Sequence, residues 1–377
     1  MKRLLLMFLI VFAVGNANAQ TPFEEFRQRL MSSGFTAEDL AVLQKGDASV
    51  RIGKSERKDE VSIFGAIRIG DDQSFSLDLF RQSLGQRSNK NLSAGAEFSV
   101  PPSISDLGNL KLDDKDLAEF RKCRPARCDF NFSNDDIREI ASVFGDDESG
   151  TVESAEELMR KIMFRYVTEY LQSGDRSLKP YSNRPVGLDV ARAHREILAE
   201  MPFLNDLSPK LTAYFRGFPV ATMDGATSEI RWSAIDFGLN PAIVLTHTVA
   251  VTDSGNHFVV NKQFYGSRYL DASLSMTVLL RVAEGDRSVA YVVFADRTRT
   301  DALGGPLGSV ARKIVVSDAA DRSKALLERS KIQLLAANRT LPADPEAAAS
   351  DQTWIYLGIA GAAIALTLIL FFFRRTH

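Results

Sequence analysis

From Phe258 to Leu280 the sequence alternates with a period of two. Even positions carry Phe258, Val260, Phe264, Leu270, Leu274, Met276, Val278 and Leu280; odd positions carry Asn261, Gln263, Tyr265, Ser267, Tyr269, Asp271, Ser273, Ser275 and Thr277. Successive side chains of a strand point to opposite sides, so this pattern marks extended chain with two different faces. A single strand of that length would run about 75 Å, far beyond the usual strand. A bend or turn is therefore expected at Tyr265-Gly266-Ser267-Arg268 or just after. With "SEIRWSAIDFG", "PAIVLTHTVAV" and "RSVAYVVFADRT", residues 229–297 read as four or five antiparallel strands in sequence, followed by a helix from about Val310 to Ala337. Antiparallel sheets can be wet on one side. The hydroxyl and amide face is expected in water, and the even-numbered face under helices.

The two ends of the chain set its address. "MKRLLLMFLIVFAVGNANAQ" has two basic residues, a short apolar run and small residues before Gln20, the pattern of a secretory signal over residues 1–19. "WIYLGIAGAAIALTLILFFFRRTH" offers an uncharged apolar stretch, Trp354 to Phe373, about the length of a membrane-spanning helix. Trp354 and Tyr356 suit an interface, and Arg374-Arg375 suit a cytoplasmic tail over residues 374–377. The expectation is a single-pass inner-membrane protein with the bulk of the chain in the periplasm, joined to its span by a linker, residues 338–353.

Between the ends, Lys and Arg total 46 against 48 Asp and Glu, a near-balance that gives no reason to expect a nucleic-acid partner. Cys123 and Cys128 are the only cysteines. In an oxidising compartment two such near neighbours read as a disulfide, and "CRPARC" offers too few ligands for a metal. Residues 20–150 form an N-terminal α/β portion. "SFSLDLFRQSLG" within it suits a short helix or a strand equally. "ESAEELMRKIMFRYVTEYLQSGDR" is the clearest helix, with Leu158, Ile162, Tyr166 and Tyr170 in one row.

The order of elements over roughly residues 150–337, a meander of long strands closed by a terminal helix, resembles the helix-grip architecture of START and Bet v 1-like proteins. "CRPARCDF", "KQFYGSRYLDASLS" and "RTRTDALGGPLGSV" also resemble phrases of exported, membrane-anchored Gram-negative proteins of unassigned activity. The helix-grip resemblance implies an α+β fold for residues 151–337, with a curved antiparallel sheet wrapped around the last helix and an enclosed cavity for lipids, sterols or polyketides. It implies a ligand site near His247, Phe264, Tyr265, Arg268 and Tyr269, with Gly304 and Gly305 in a loop that gates the cavity mouth. His247 on its own reads as a core histidine of an apolar strand face or as a polar anchor in such a cavity. Trp232 and Tyr291 read as core packing.

Searches for catalytic patterns return little. "ASVRIGKS" approaches a phosphate-binding loop, but Val50 and Ile52 favour a strand where that loop needs free backbone amides before a helix. "DDESGTVESAEE" lacks the central glycine of a calcium loop. No HExxH, GxSxG or CxxC occurs, and no cofactor is implied. Three functions follow: a membrane-tethered carrier or sensor of an apolar or lipid ligand, a scaffold binding another envelope protein, or a hydrolase or cyclase with dispersed residues. The basic tip formed by Arg121, Lys122, Arg124 and Arg127 around the disulfide suits either a solvated hairpin or contact with anionic headgroups of the inner membrane.

Overall fold

The computed structural model describes residues 21–71, 73–85, 92–144, 150–235, 240–303 and 308–340. The expected signal, membrane span and tail lie outside these residues, as do Gly304, Gly305 and residues 341–353 of the expected linker; residues 338–340, the start of that linker, are helical instead. Among the described residues no helix is long and apolar enough to cross a membrane.

Helices α1 (Pro22–Ser32) and α2 (Ala37–Gln44) lead into strands β1 (Ser49–Ile52) and β2 (Glu60–Asp71). Then come α3 (Leu77–Gly85), β3 (Leu92–Glu97), α4 (Asp114–Lys122), α5 (Asn134–Phe144) and α6 (Val152–Ser173). Three shorter helices follow, α7 (Val190–Ala199), α8 (Pro202–Leu207) and α9 (Pro209–Gly217). The meander is β4 (Thr227–Ile235), β5 (Ala242–Asp253), β6 (Asn256–Gly266), β7 (Leu270–Glu284) and β8 (Arg287–Thr300), closed by α10 (Gly308–Thr340). The long alternating stretch does break, between Gly266 and Leu270. Tyr269 sits there at φ +62°, a left-handed backbone that ends extended chain. "SFSLDLFRQSLG" is helical at its centre, and "SVRI" of the near-phosphate loop is β1.

The strands form one antiparallel sheet in the order β1-β2-β8-β7-β6-β5-β4-β3. Residues 49–97 thus supply both edges of the sheet whose centre comes from residues 227–300. Even-numbered side chains such as Phe258, Val260, Leu274 and Met276 pack against α1 and α7–α9. Farther along the same face, Leu245, Phe264 and Trp232 pack against α4–α6.

The other face corrects the sequence expectation. It is covered, not wet. Ala250, Val259, Leu279, Val292 and Phe294 pack there with Phe80 and Leu84 of α3 and Leu326, Leu327 and Leu334 of α10. Asn261, Gln263, Ser273, Ser275 and Thr277 on that face are all buried. Alternation reports two chemically different faces; it does not report which one meets water.

α10 runs alongside β2 from its start. Near its beginning, Arg312 Nη2 lies 3.1, 2.7 and 2.8 Å from the carbonyl oxygens of Arg57, Lys58 and Glu60. Near its end, Lys331 Nζ donates to the Gly46 carbonyl at 2.6 Å. Arg312→Ala should leave the fold intact while speeding amide exchange in the first turns of α10, with a stability loss of about 1–2 kcal/mol for the charged hydrogen bonds. Unchanged exchange there would show that Arg312 does not hold the helix down.

Candidate functional site

The covered polar face is built by register. Thr248 of β5 stands opposite Asn261 of β6, Asn261 opposite Ser275 of β7, and Ser275 opposite Asp296 of β8. One step along, Thr246, Gln263, Ser273 and Thr298 form a second row. In a third row Thr277 lies between Val259 and Phe294. Directly paired residues have Cβ atoms about 5 Å apart, so the two polar rows form a continuous belt across four strands. β2 closes it with Ile63 and Val61, opposite Asp296 and Thr298.

Part of the belt satisfies itself. Thr248 donates to Asn261 Oδ1 at 2.8 Å, and Thr298 Oγ1 lies 2.8 Å from Ser273 Oγ and 3.0 Å from Asp296 Oδ1. The rest does not: Thr246 Oγ1, both Gln263 amide atoms, Thr277 Oγ1 and Asp296 Oδ2 are buried without a hydrogen-bond partner. Each such atom costs about 1–3 kcal/mol when left unmade, so a cluster of them calls for water or a bound molecule. Burial pushes the Asp296 carboxyl up to about 7, against the hydrogen bonds from Thr298 and Ser273. At the β4 side, burial and then the charge of Glu97 push Glu229 up to about 7 as well. The belt thus holds hydroxyls, amides and a carboxyl that titrates near neutrality, bordered by the apolar contacts of α3 and α10.

The residues singled out in the sequence lie elsewhere. His247 is on the opposite face, fully buried beside Phe218, Phe215 and Tyr214. Its Nδ1 is 2.9 Å from the Tyr170 hydroxyl and its Nε2 2.8 Å from Ser228 Oγ. Burial keeps the Tyr170 hydroxyl protonated, and the neutral imidazole donates from one ring nitrogen and accepts at the other, so both contacts are satisfied in either tautomer. Burial and then the Lys262 charge push His247 down to about 3. Phe264 stacks on Tyr170 with centroids 4.1 Å apart. Tyr265 meets Tyr166 and Tyr181 edge-on, and its unpartnered hydroxyl belongs to a residue lining a space of about 20 Å³, enough for about one water.

Arg268 is a clamp at the end of β6: it pairs with Asp116 at 2.7 Å and with Glu119, donates to the Pro241 carbonyl, and lies over the Phe130 ring. Tyr269 gives its carbonyl to the Thr300 hydroxyl at 2.6 Å. The structure therefore brings His247, Phe264 and Tyr265 together in the helix-packed core and sets Arg268 and Tyr269 in the β6–β7 turn.

Cys123 and Cys128 are joined, as expected. Their hairpin is tied to the 181–188 loop by Ala126 N–H to the Ser182 carbonyl and Cys128 N–H to the Asn183 carbonyl. Lys122 and Arg127 are exposed, Arg124 is half-buried, and Arg121 reaches the Gly150 carbonyl. Asn131, just beyond, bonds the Ser267 carbonyl, which places the basic tip at the end of the sheet where α10 begins. α10 is about 50 Å long, so the tip and the C-terminal end of α10 lie at opposite ends of the molecule.

No protein-family model and no curated protein matches this chain. Fold and belt define its class: an α+β protein whose described antiparallel sheet is covered on both faces, with a buried polar belt on the face that also carries α3 and α10. Among the described residues no three His, Cys, Asp or Glu side chains are grouped to hold a metal ion.

Proposed function

We propose that this is a membrane-tethered periplasmic binding protein, a carrier or sensor, for a lipid-like amphiphile received between the sheet and α10. The supporting observation is the belt of unpartnered polar atoms on Thr246, Gln263, Thr277 and Asp296, beside an apolar layer on the same face. A ligand with hydroxyl, amide or amine groups at one end and hydrocarbon at the other matches both halves. The tether rests on the sequence of the two chain ends. The helix-grip resemblance points to the same space between sheet and last helix.

The test is mass spectrometry of organic extracts from the full chain purified in mild detergent, beside a Gln263→Leu/Thr277→Val variant. A stoichiometric amphiphile carried by the native chain and reduced at least tenfold in the variant is expected. Extracts matching a detergent-only control would leave the belt to ordered water and end this reading.

A further inference from the structure

A partly open apolar cavity lies on the face of the sheet opposite the belt. It measures about 190 Å³ and is lined mainly by Phe23, Phe26, Leu30, Leu40, Leu43 and Tyr291. An apolar cavity of about 150 Å³ holds a benzene molecule and stays dry when empty, so this one has room for a stretch of hydrocarbon. α1 and α2 form its walls and Tyr291 of β8 its floor, with Phe26 and Tyr291 ring centroids 4.8 Å apart. Arg27 and Gln44 are the polar members of its lining.

Its position says what can reach it. Tyr291 pairs with Arg68, toward the far end of β2. α10 starts at the near end, beside residues 57–60, and arrives at Gly46, two residues beyond Gln44, through Lys331. Ile332, the next residue of the helix, is 65% exposed. α10 ends at Thr340, so the cavity and the point where the chain leaves the fold share one end of the sheet. Only residues 341–353 separate that point from the expected span.

We infer that this cavity takes an acyl chain of a bilayer lipid, entering from the membrane in which the protein is tethered. The inference rests on the tethered reading above, but the site is distinct from the belt under α10. The lining is mainly hydrocarbon and aromatic, the nearest source of hydrocarbon for a tethered chain is the bilayer, and the lining residue Gln44 lies two residues from Gly46, which Lys331 near the C-terminal end of α10 contacts. Binding here seats the domain on the membrane by its α1–α2 end and leaves the basic tip pointing away.

The test reconstitutes the full chain in phosphatidylcholine vesicles containing a lipid with a photoactivatable diazirine in its acyl chain. Illumination, proteolysis and mass spectrometry then locate the label. Label is expected on peptides spanning residues 22–44 and Tyr291, falling at least fivefold in Ala41→Trp, which fills the cavity. Ala41→Phe, with a urea midpoint equal to the native chain, guards against misfolding. Label confined to α3, α10 and β6–β8 would overturn the cavity assignment while agreeing with a ligand in the belt. Label confined to residues 354–373, or label on α1 and α2 unchanged by both substitutions, would also overturn it.

Discussion

Glu60→Gln should destabilise the protein by about 3–5 kcal/mol, the cost of removing one partner from a buried ion network. Glu60 is fully buried at the start of β2 and takes Arg297 on one carboxylate oxygen and Arg299, at 2.8 Å, on the other. Both arginines are nearly as buried as the glutamate. Their outer partners, Glu200 and Glu196, are 49% and 41% exposed, so water screens those pairs and they cannot replace the lost charge. Urea denaturation should show the midpoint falling at unchanged slope. Glu196→Gln and Glu200→Gln should each cost no more than about 1 kcal/mol. A Glu60→Gln loss of the same small size would show that the arginines find other partners or water, and that the network does not hold β2 to β8.

Asp296→Asn should change how stability depends on pH. Burial raises the folded carboxyl to about 7, from an ordinary 3.8. A raised acid binds its proton more tightly in the folded state, so the native chain gains from protonation at low pH. Stability is lost as pH rises from about 4 to about 7 and is flat above that. A shift of about three units corresponds to at most about 4 kcal/mol, and water in the belt would reduce it. Asp271, raised by burial to about 6, and Glu229, raised to about 7, slope the same way. Asn carries no charge, so the variant should be more stable than the native chain at pH 8, no more stable at pH 5, and flatter between. Urea midpoints at four pH values check this. Parallel curves would mean that Asp296 is ionised throughout, held by water or a ligand.

Much of the sheet was legible because period two is a local signal. The five strands from Thr227 to Thr300 and the break near Gly266 follow from alternation and from the length a strand can sustain. The cover was not legible. Whether Asn261 and Ser275 meet water or protein depends on α3, nearly two hundred residues earlier, and on α10, which closes over the sheet from the other side. The helix and strand readings of "SFSLDLFRQSLG" were evenly matched, and the helix is what buries Val259 and Ala250. Nor could local pattern reveal that β1 and β2 would pair on one side of the meander and β3 on the other.

The candidate site divides the same way. His247 was visible as a polar residue in an apolar run, yet its role turns on Tyr170, 77 residues away. The belt left a signal that was misassigned: hydroxyls and amides at odd positions of β6 and β7, matched by Thr246 and Thr248 on β5 and by Asp296 and Thr298 on β8. Only pairing register shows that these positions line up. Cys123 and Cys128 were legible because they are five residues apart and the sequence holds no other cysteine.

α10 also has a mechanical meaning. A pull on its C-terminal end acts along the helix axis, nearly parallel to β2. The contacts that resist, Leu334, Lys331, Leu327, Leu326 and Arg312, are spread along the helix and are loaded together in shear, not opened one at a time. α10 therefore also braces the edge of the sheet formed by β1, β2 and β8. Tension at the C-terminal end of α10 reaches that edge directly, through one unbroken helix among the described residues.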